Sequence, residues 1–147
     1  MMTEFKKHAD KIILDTCVLL EYFLNSKKAE EVEKLLDKIV SGNLEGYISV
    51  STITEITSFF IREDSESRIP EVIDFLKNNF LILNTTPEIA FLAGTIKAKY
   101  QTQEKGLSHV DAIICASAII FDCIIVTYDS EYDRVSEVKV KRPSSIQ

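Results

Sequence analysis

The stretch SHVDAIICASAIIFDCIIVTYD, residues 108–129, decides the fold class of the chain. Residues 108–121 are apolar over much of a helical circumference, which predicts a helix covered by other elements on most sides. Residues 123–126 then form a continuous apolar run bounded by polar residues, which is typical of a strand buried on both faces. A covered helix that leads into a buried strand predicts an α/β domain.

Strand and helix patterns alternate over the rest of the chain as well. Short apolar or alternating runs predict strands at residues 11–14, 47–50 and 80–83, and an edge strand at 138–140. Helical spacing of apolar residues predicts helices at 18–24, 29–40, 52–61, 70–78 and 87–100. This order of elements predicts a three-layer α/β/α domain with a mostly parallel central sheet.

Length and composition favour one compact domain. The chain has 147 residues, 46% of them hydrophobic, so we expect a single domain, residues 1–147, with residues 1–10 as a polar leader. No segment approaches the roughly 20 consecutive apolar residues of a membrane-spanning helix. The three cysteines, Cys17, Cys115 and Cys123, lie in apolar runs and form no C-x-x-C pair. These features predict a cytoplasmic protein without disulfides, a membrane span or a zinc site.

The net charge is acidic, with 17 basic and 23 acidic residues and a formal charge of −6. Because phosphate contacts dominate nucleic-acid binding, this sign at first argues against such a partner. Two divalent cations held by carboxylates would bring the net charge to about −2 and turn the most acidic patch into a phosphate receptor. The overall charge therefore does not exclude RNA as a substrate.

Four acidic residues are predicted to lie where a strand ends or a helix begins. Asp15 and Asp129 each follow an apolar strand directly. Glu55 falls in the first turn predicted after the second strand, and Asp111 falls in the first turn of the helix predicted at residues 108–121. Since sites in open α/β sheets form outside the carboxyl ends of the strands, we expect all four acids at one edge of the sheet.

Acids from separate segments suit a hard cation. Carboxylate oxygens are the ligands that Mg²⁺ and Mn²⁺ prefer, and such a cation can supply hydroxide from a bound water for phosphodiester cleavage. Each acid alone also fits a local structural role: Asp15 and Asp129 as N-caps or Asx turns, and Glu55 and Asp111 as capping-box members after Thr52 and Ser108. Capping does not require four acids to meet, so the set as a whole favours a metal-dependent nuclease.

Four stretches together resemble the PIN domain family, and within it the VapC-type toxin ribonucleases. They are Ile12-Ile-Leu-Asp-Thr16, Ser51-Thr-Ile-Thr-Glu55, Ser108-His-Val-Asp-Ala-Ile-Ile-Cys-Ala116, and Ile125-Val-Thr-Tyr-Asp129 followed by Tyr132. The order and spacing of these motifs span nearly the whole chain. The resemblance implies a parallel sheet flanked by helices, RNA cleavage that depends on Mg²⁺ or Mn²⁺, and often the toxin role of a VapBC toxin–antitoxin pair.

The resemblance also assigns individual residues. The acids that match the family's metal-binding positions are Asp15, Glu55, Asp111 and Asp129. Thr127 matches a hydroxyl that supports the last acid, and Thr16 is taken as a further supporting residue. Cys17 stands where many relatives carry asparagine, and Tyr128 stands where a basic residue is frequent. The family further implies an antitoxin protein as a partner, with a basic side chain directed at the acids, and a homodimer.

Other polar residues have weaker claims to a role. His109 could touch a phosphate, but an exposed histidine in the first turn of a helix explains it equally well. Lys97, Lys99 and Lys105 could contact RNA phosphates, and a solvated helix face is an equally good interpretation. We therefore leave these four residues outside the predicted catalytic set.

Two other chemistries and one other functional class compete with a metal-dependent nuclease. A Cys17 thiol nucleophile lacks a neighbouring histidine or arginine, and an Asp15 nucleophile of the phosphatase type lacks the second carboxylate two residues later. The competing class is a PIN-like RNA- or protein-binding module with weak or no activity. Retention of all four acids argues against that class.

Overall fold

The computed structural model describes residues 9–146 and contains a five-stranded, fully parallel sheet. The strands are β1 (Asp10–Leu14), β2 (Leu44–Ser49), β3 (Leu81–Leu83), β4 (Ile124–Val126) and β5 (Val140–Lys141). They lie in the order β3-β2-β1-β4-β5, so β1 occupies the centre and pairs with both β2 and β4. Because all strands run in parallel, their carboxyl ends meet at the same edge.

Six helices connect and cover the strands. They are α1 (Thr16–Phe23), α2 (Ala29–Val40), α3 (Val50–Arg62), α4 (Ile69–Asn79), α5 (Pro87–Tyr100) and α6 (His109–Phe121). Short 3₁₀ segments lie at Glu66–Arg68, Ser130–Arg134 and Pro143–Ser145. No helix within residues 9–146 has the length and apolar character needed to cross a membrane.

Two cores, one on each face of the sheet, make the three layers. Alternate residues of β1 divide between them: Ile12 and Leu14 pack with α1 to α4, and Ile13 packs with α5 and α6. All three side chains are fully buried, and each contributes about 1.5–3 kcal/mol through burial. The predicted three-layer α/β/α fold with a parallel sheet is thereby confirmed.

The boundary between β2 and α3 differs from the sequence prediction. A strand was expected at residues 47–50, but β2 covers Leu44–Ser49 and Val50 is already the first residue of α3. Ser49 is the N-cap, and its hydroxyl accepts a hydrogen bond from the Ser51 backbone N–H at 3.3 Å. The predicted capping box between Thr52 and Glu55 is therefore wrong, since Glu55 lies in the second turn of α3.

The last strand also lies later than expected. We predicted an edge strand at residues 138–140 and a polar terminus from residue 141, whereas β5 comprises Val140 and Lys141. Lys141 is in register with Val126, and its carbonyl accepts a hydrogen bond from the Thr127 N–H at 3.1 Å. The polar leader predicted at residues 1–10 is partly corrected, because Asp10 begins β1; residues 1–8 lie outside the described part of the chain.

Candidate metal centre

Asp15 is the most firmly held of the predicted acids. It follows β1, caps α1, and is only 7% exposed. Its Oδ1 accepts a hydrogen bond from the Thr16 N–H at 2.9 Å, and its Oδ2 accepts hydrogen bonds from the Thr127 hydroxyl at 2.8 Å and the Cys17 thiol at 3.3 Å. The Asp15 N–H donates to the carbonyl of Val126 at 3.1 Å. Asp15 is thus an N-cap and a site carboxylate at once, fixed from the ends of β1 and β4.

Thr127 connects the first predicted acid to the last. Besides donating to Asp15, its hydroxyl accepts a hydrogen bond from the Asp129 backbone N–H at 3.0 Å. The support expected for Asp129 therefore reaches its backbone, and the proton of the hydroxyl goes to Asp15. Asp129 caps the 3₁₀ segment Ser130–Arg134, because its Oδ1 accepts a hydrogen bond from the Glu131 N–H at 2.9 Å.

Glu55 reaches the site from α3 through Thr16. The Thr16 hydroxyl donates to Glu55 Oε1 at 2.6 Å and lies 3.3 Å from the Thr52 hydroxyl, and both threonines are buried. Thr16 thereby links the N-terminus of α1 to the second turn of α3. This contact places Glu55 beside the residue that follows Asp15, although Glu55 is not in the first turn of its helix.

Asp111 lies in the first turn of α6, as predicted. Ser108 caps this helix, and its hydroxyl accepts a hydrogen bond from the Asp111 N–H at 3.1 Å. The Asp111 carboxylate accepts a hydrogen bond at Oδ1 from the hydroxyl of Tyr132 at 2.9 Å. Burial raises the pKa of Asp111, as do the negative charges of Asp15 and Asp129, whereas the hydrogen bond from Tyr132 and the nearby Ser108 hydroxyl oppose the rise.

Three of the four carboxylates keep one oxygen without a hydrogen bond from the described residues. These oxygens are Glu55 Oε2, Asp111 Oδ2 and Asp129 Oδ2. Within residues 9–146, no buried side-chain oxygen or nitrogen lacks a hydrogen-bond partner, so the three oxygens are in contact with solvent. The site therefore offers hard oxygen donors that water or a cation can reach.

The arrangement is open. Within the described residues, no three Asp, Glu, His or Cys side chains converge closely enough to hold a metal ion by themselves. Mg²⁺ usually keeps several waters and is held by only one or two carboxylates, so an open set of oxygen donors fits it. The chemistry of the donors matches a hydrated hard cation and does not match zinc, which prefers nitrogen and sulfur.

Comparison with known proteins places the chain in a family. The model of the PIN domain family matches residues 12–138, which include all four acids. The chain belongs to the PIN domain family. A curated relative, Ribonuclease VapC2 of Methanocaldococcus jannaschii, is 27% identical over 154 residues, which cover 95% of this chain and 98% of the relative.

Solved structures show the same PIN fold. One is VapBC2 from Rickettsia felis bound to a DNA fragment from their promoter, with a TM-score of 0.76 and 14% identity over 90% of this chain and 98% of that one. Another is DNA-bound VapBC from Salmonella typhimurium, with a TM-score of 0.73 and 19% identity over 91% and 98% of the two chains. At these identities the likeness is one of fold.

Cys17 contributes to the PIN site as a donor. Burial first, and then the negative charge of Asp15, raise the pKa of the Cys17 thiol to about 11. At neutral pH the sulfur is therefore protonated, which excludes the thiolate that a nucleophile would need. Its proton instead points to Asp15 Oδ2, as the amide of an asparagine at this position could.

The three lysines and the histidine considered as possible RNA contacts are either bound to other parts of the protein or exposed. The Lys97 ammonium donates to the Leu107 carbonyl, Lys99 pairs with Glu137 at 3.1 Å, and Lys105 lies 4.0 Å from Glu131. His109 is exposed at the first position of α6. The contacts of the three lysines and the exposure of His109 favour the structural interpretation of these residues.

Sequence reasoning missed two contacts at the site. Tyr132 appeared only as part of a motif, yet it is fully buried and donates to Asp111. The Lys28 ammonium lies 3.9 Å from the centroid of the Tyr128 ring, beside Asp129, and supplies a cation near the position where many PIN relatives carry a basic residue. Lys28 is a hundred residues away in sequence, so no local pattern could have indicated it.

Proposed function

We propose that this PIN protein is an endoribonuclease that depends on Mg²⁺ or Mn²⁺ and uses water to cleave RNA phosphodiester bonds. The observation that carries the proposal is the set of three solvent-facing carboxylate oxygens, on Glu55, Asp111 and Asp129, next to the buried carboxylate of Asp15. Membership of the PIN family and the similarity to a relative named as a ribonuclease support the same reaction class.

The residues of the chain divide the work between them. Glu55, Asp111 and Asp129 would hold the cation directly or through water, and Asp15 would add its negative charge from a fixed position. A bound divalent cation supplies a water of lowered pKa and stabilises the charge that develops on the phosphate. Thr16 and Thr127 keep the acids in place, since each hydroxyl donates to an acid on another segment: Thr16 to Glu55 and Thr127 to Asp15.

We further propose that the protein is the toxin of a toxin–antitoxin pair, acts in the cytoplasm and forms a homodimer. The relative named VapC2 and the VapBC structures with the same fold support the toxin role. An antitoxin would inhibit the enzyme by directing an arginine or lysine at the solvent-facing oxygens, where its charge replaces that of the cation.

RNA cleavage by purified variants tests the proposal. We expect wild type to cleave RNA with Mg²⁺ or Mn²⁺ and to stop when EDTA is added. Asp15→Asn and Asp111→Asn should each lower the cleavage rate at least about 100-fold, which corresponds to about 2.7 kcal/mol of transition-state stabilisation. Asp122→Asn is the matched control: Asp122 is an exposed carboxylate at the opposite end of α6, in the left-handed conformation that asparagine tolerates. It should keep full activity.

Three results would contradict the proposal. Cleavage that survives complete chelation would exclude the metal-dependent mechanism, and full activity of both site variants would show that the acids are wrongly assigned. Absence of cleavage together with no rise of the melting temperature in millimolar Mn²⁺ would favour the binding module instead.

For the toxin role, expression of wild type should slow growth of a host cell, and Asp111→Asn should relieve the effect.

A further inference from the structure

Tyr132 is the one fully buried tyrosine of the described residues, with 0% exposure, and it lies three residues after Asp129. Its ring packs in the core between α6 and the sheet, and its hydroxyl donates to Asp111 Oδ1 at 2.9 Å. A buried phenol hydroxyl needs a hydrogen-bond partner, and the packing of the ring leaves the hydroxyl little freedom to find another one. The contact is therefore fixed by the core.

The same short segment holds Asp129. Asp129 caps the 3₁₀ segment Ser130–Arg134 through its Oδ1, and Tyr132 is the buried residue of that segment. Asp129 thus lies at the start of the segment, and the Tyr132 hydroxyl of the same segment donates a hydrogen bond to Asp111 on α6. Two carboxylates from different elements are held at a fixed spacing by a single turn of chain.

We propose that Tyr132 is a positioning residue of the metal centre, which occupies Asp111 Oδ1 so that Asp111 presents Oδ2 to the cation. The inference rests on the proposed function, since it concerns how that metal site is held. Oδ1 accepts the hydrogen bond from the Tyr132 hydroxyl, whereas Oδ2 accepts none from the described residues. Asp111 is consequently a ligand through one oxygen only.

Binding of Mn²⁺ to Tyr132→Phe tests the proposal without recourse to activity. Phenylalanine fills the same space and removes only the hydroxyl. Hydrogen bonds to ligands typically change metal affinity by about 10- to 100-fold, so we expect the Kd for Mn²⁺ to rise at least about 10-fold. Free Mn²⁺ is counted by electron paramagnetic resonance, with folding of each variant checked by circular dichroism at the same temperature.

Tyr47→Phe is the matched control. Tyr47 is also buried, at 6% exposure, and its hydroxyl also donates to a carboxylate, that of Glu45, near the start of β2. It should lower stability without changing the Kd for Mn²⁺. With RNA as substrate, Tyr132→Phe should require more Mn²⁺ for half-maximal activity, while KM for RNA at saturating Mn²⁺ remains within twofold of wild type.

A double variant covers the case in which Tyr132→Phe alone folds poorly. In Asp111→Asn, the amide oxygen can still accept a hydrogen bond from Tyr132. Residue 111 is then uncharged, so loss of the Tyr132 hydroxyl leaves no carboxylate charge without a hydrogen bond. If Tyr132 acts through Asp111, then adding Tyr132→Phe to this variant causes no further loss of Mn²⁺ affinity. An additional loss of tenfold, or an unchanged Kd in the single variant, would overturn the positioning role alone. Failure of wild type to bind Mn²⁺ would overturn the proposed function and the positioning role together.

Discussion

Asp15 and Asp111 lie at the same edge of the sheet, but the protein holds them in different ways. Asp15 is buried and accepts hydrogen bonds from the Thr16 backbone, the Thr127 hydroxyl and the Cys17 thiol. The Asp111 carboxylate accepts one hydrogen bond, from a residue 21 positions away, and burial raises its pKa. Asp15 therefore stabilises the fold, whereas the charge of Asp111 lowers stability in the absence of metal.

The largest expected difference is in stability after truncation to alanine. Asp15→Ala removes a helix cap and leaves the buried Thr127 hydroxyl without its acceptor, so we expect a loss of about 2–4 kcal/mol. In Asp111→Ala, the unpaired Tyr132 hydroxyl opposes the gain from removing a repelled charge, and we expect a net change within about 1 kcal/mol. Urea unfolding of both variants in EDTA measures the two values. Equal losses would show that the two acids do not differ as described.

A smaller effect is expected for Asp111→Asn, which keeps the hydrogen bond from Tyr132 and removes the charge. Without metal, this variant should be about 1 kcal/mol more stable than wild type, because it removes a charge that burial disfavours and that Asp15 and Asp129 repel. Mn²⁺ should narrow or reverse the gap, since wild type gains binding free energy that the variant has largely lost. Thermal melts of both proteins in EDTA and in Mn²⁺ measure the two differences in stability. A variant that is less stable than wild type in EDTA would contradict a destabilising charge at residue 111.

The smallest effect is the pH dependence of that gap. Because the pKa of Asp111 is raised in the folded protein, the folded state binds its proton more readily than the unfolded state. Ionised Asp111 therefore lowers wild-type stability above its folded pKa, and this penalty disappears as the pH falls toward the unfolded value near 4. The advantage of Asp111→Asn in EDTA should accordingly shrink between pH 7 and pH 4. Denaturant unfolding at several pH values tests the sign, and a gap that widens on acidification would contradict it.

The sequence was sufficient for the parts of the site that depend on local patterns. Asp15 follows β1 as predicted from an apolar run that ends in an acid, and Ser108 caps α6 as predicted from its spacing to Asp111. Glu55 was expected at a helix start, because Thr52 resembles a cap. Ser49 caps the helix instead, and Thr52 is buried against Thr16. Which of several nearby hydroxyl residues caps a helix depends on packing that the sequence does not display.

Contacts between distant segments were not accessible from the sequence. From the sequence, the Tyr132 hydroxyl could donate a hydrogen bond to water or to any acceptor. The burial of its ring against α6 directs it to Asp111. Lys28 lies over Tyr128 because the start of α2 packs beside the end of β4, which is a property of the tertiary structure. Both contacts depend on tertiary packing, which local periodicity does not display.

The central position of β1 makes its folding depend on a strand that is synthesised much later. Its partner β4 is separated from it by most of the chain, and the hydrogen bond from Thr127 to Asp15 spans 112 residues. Pairing of this kind requires a long stretch of chain to lose conformational entropy before the strands make stabilising contacts. This slows folding and delays it during translation. A nascent chain that ends before residue 124 therefore lacks β4 together with Thr127, Asp129 and Tyr132. In the proposed ribonuclease, the acid cluster therefore cannot be complete before residues 124–129 have been synthesised.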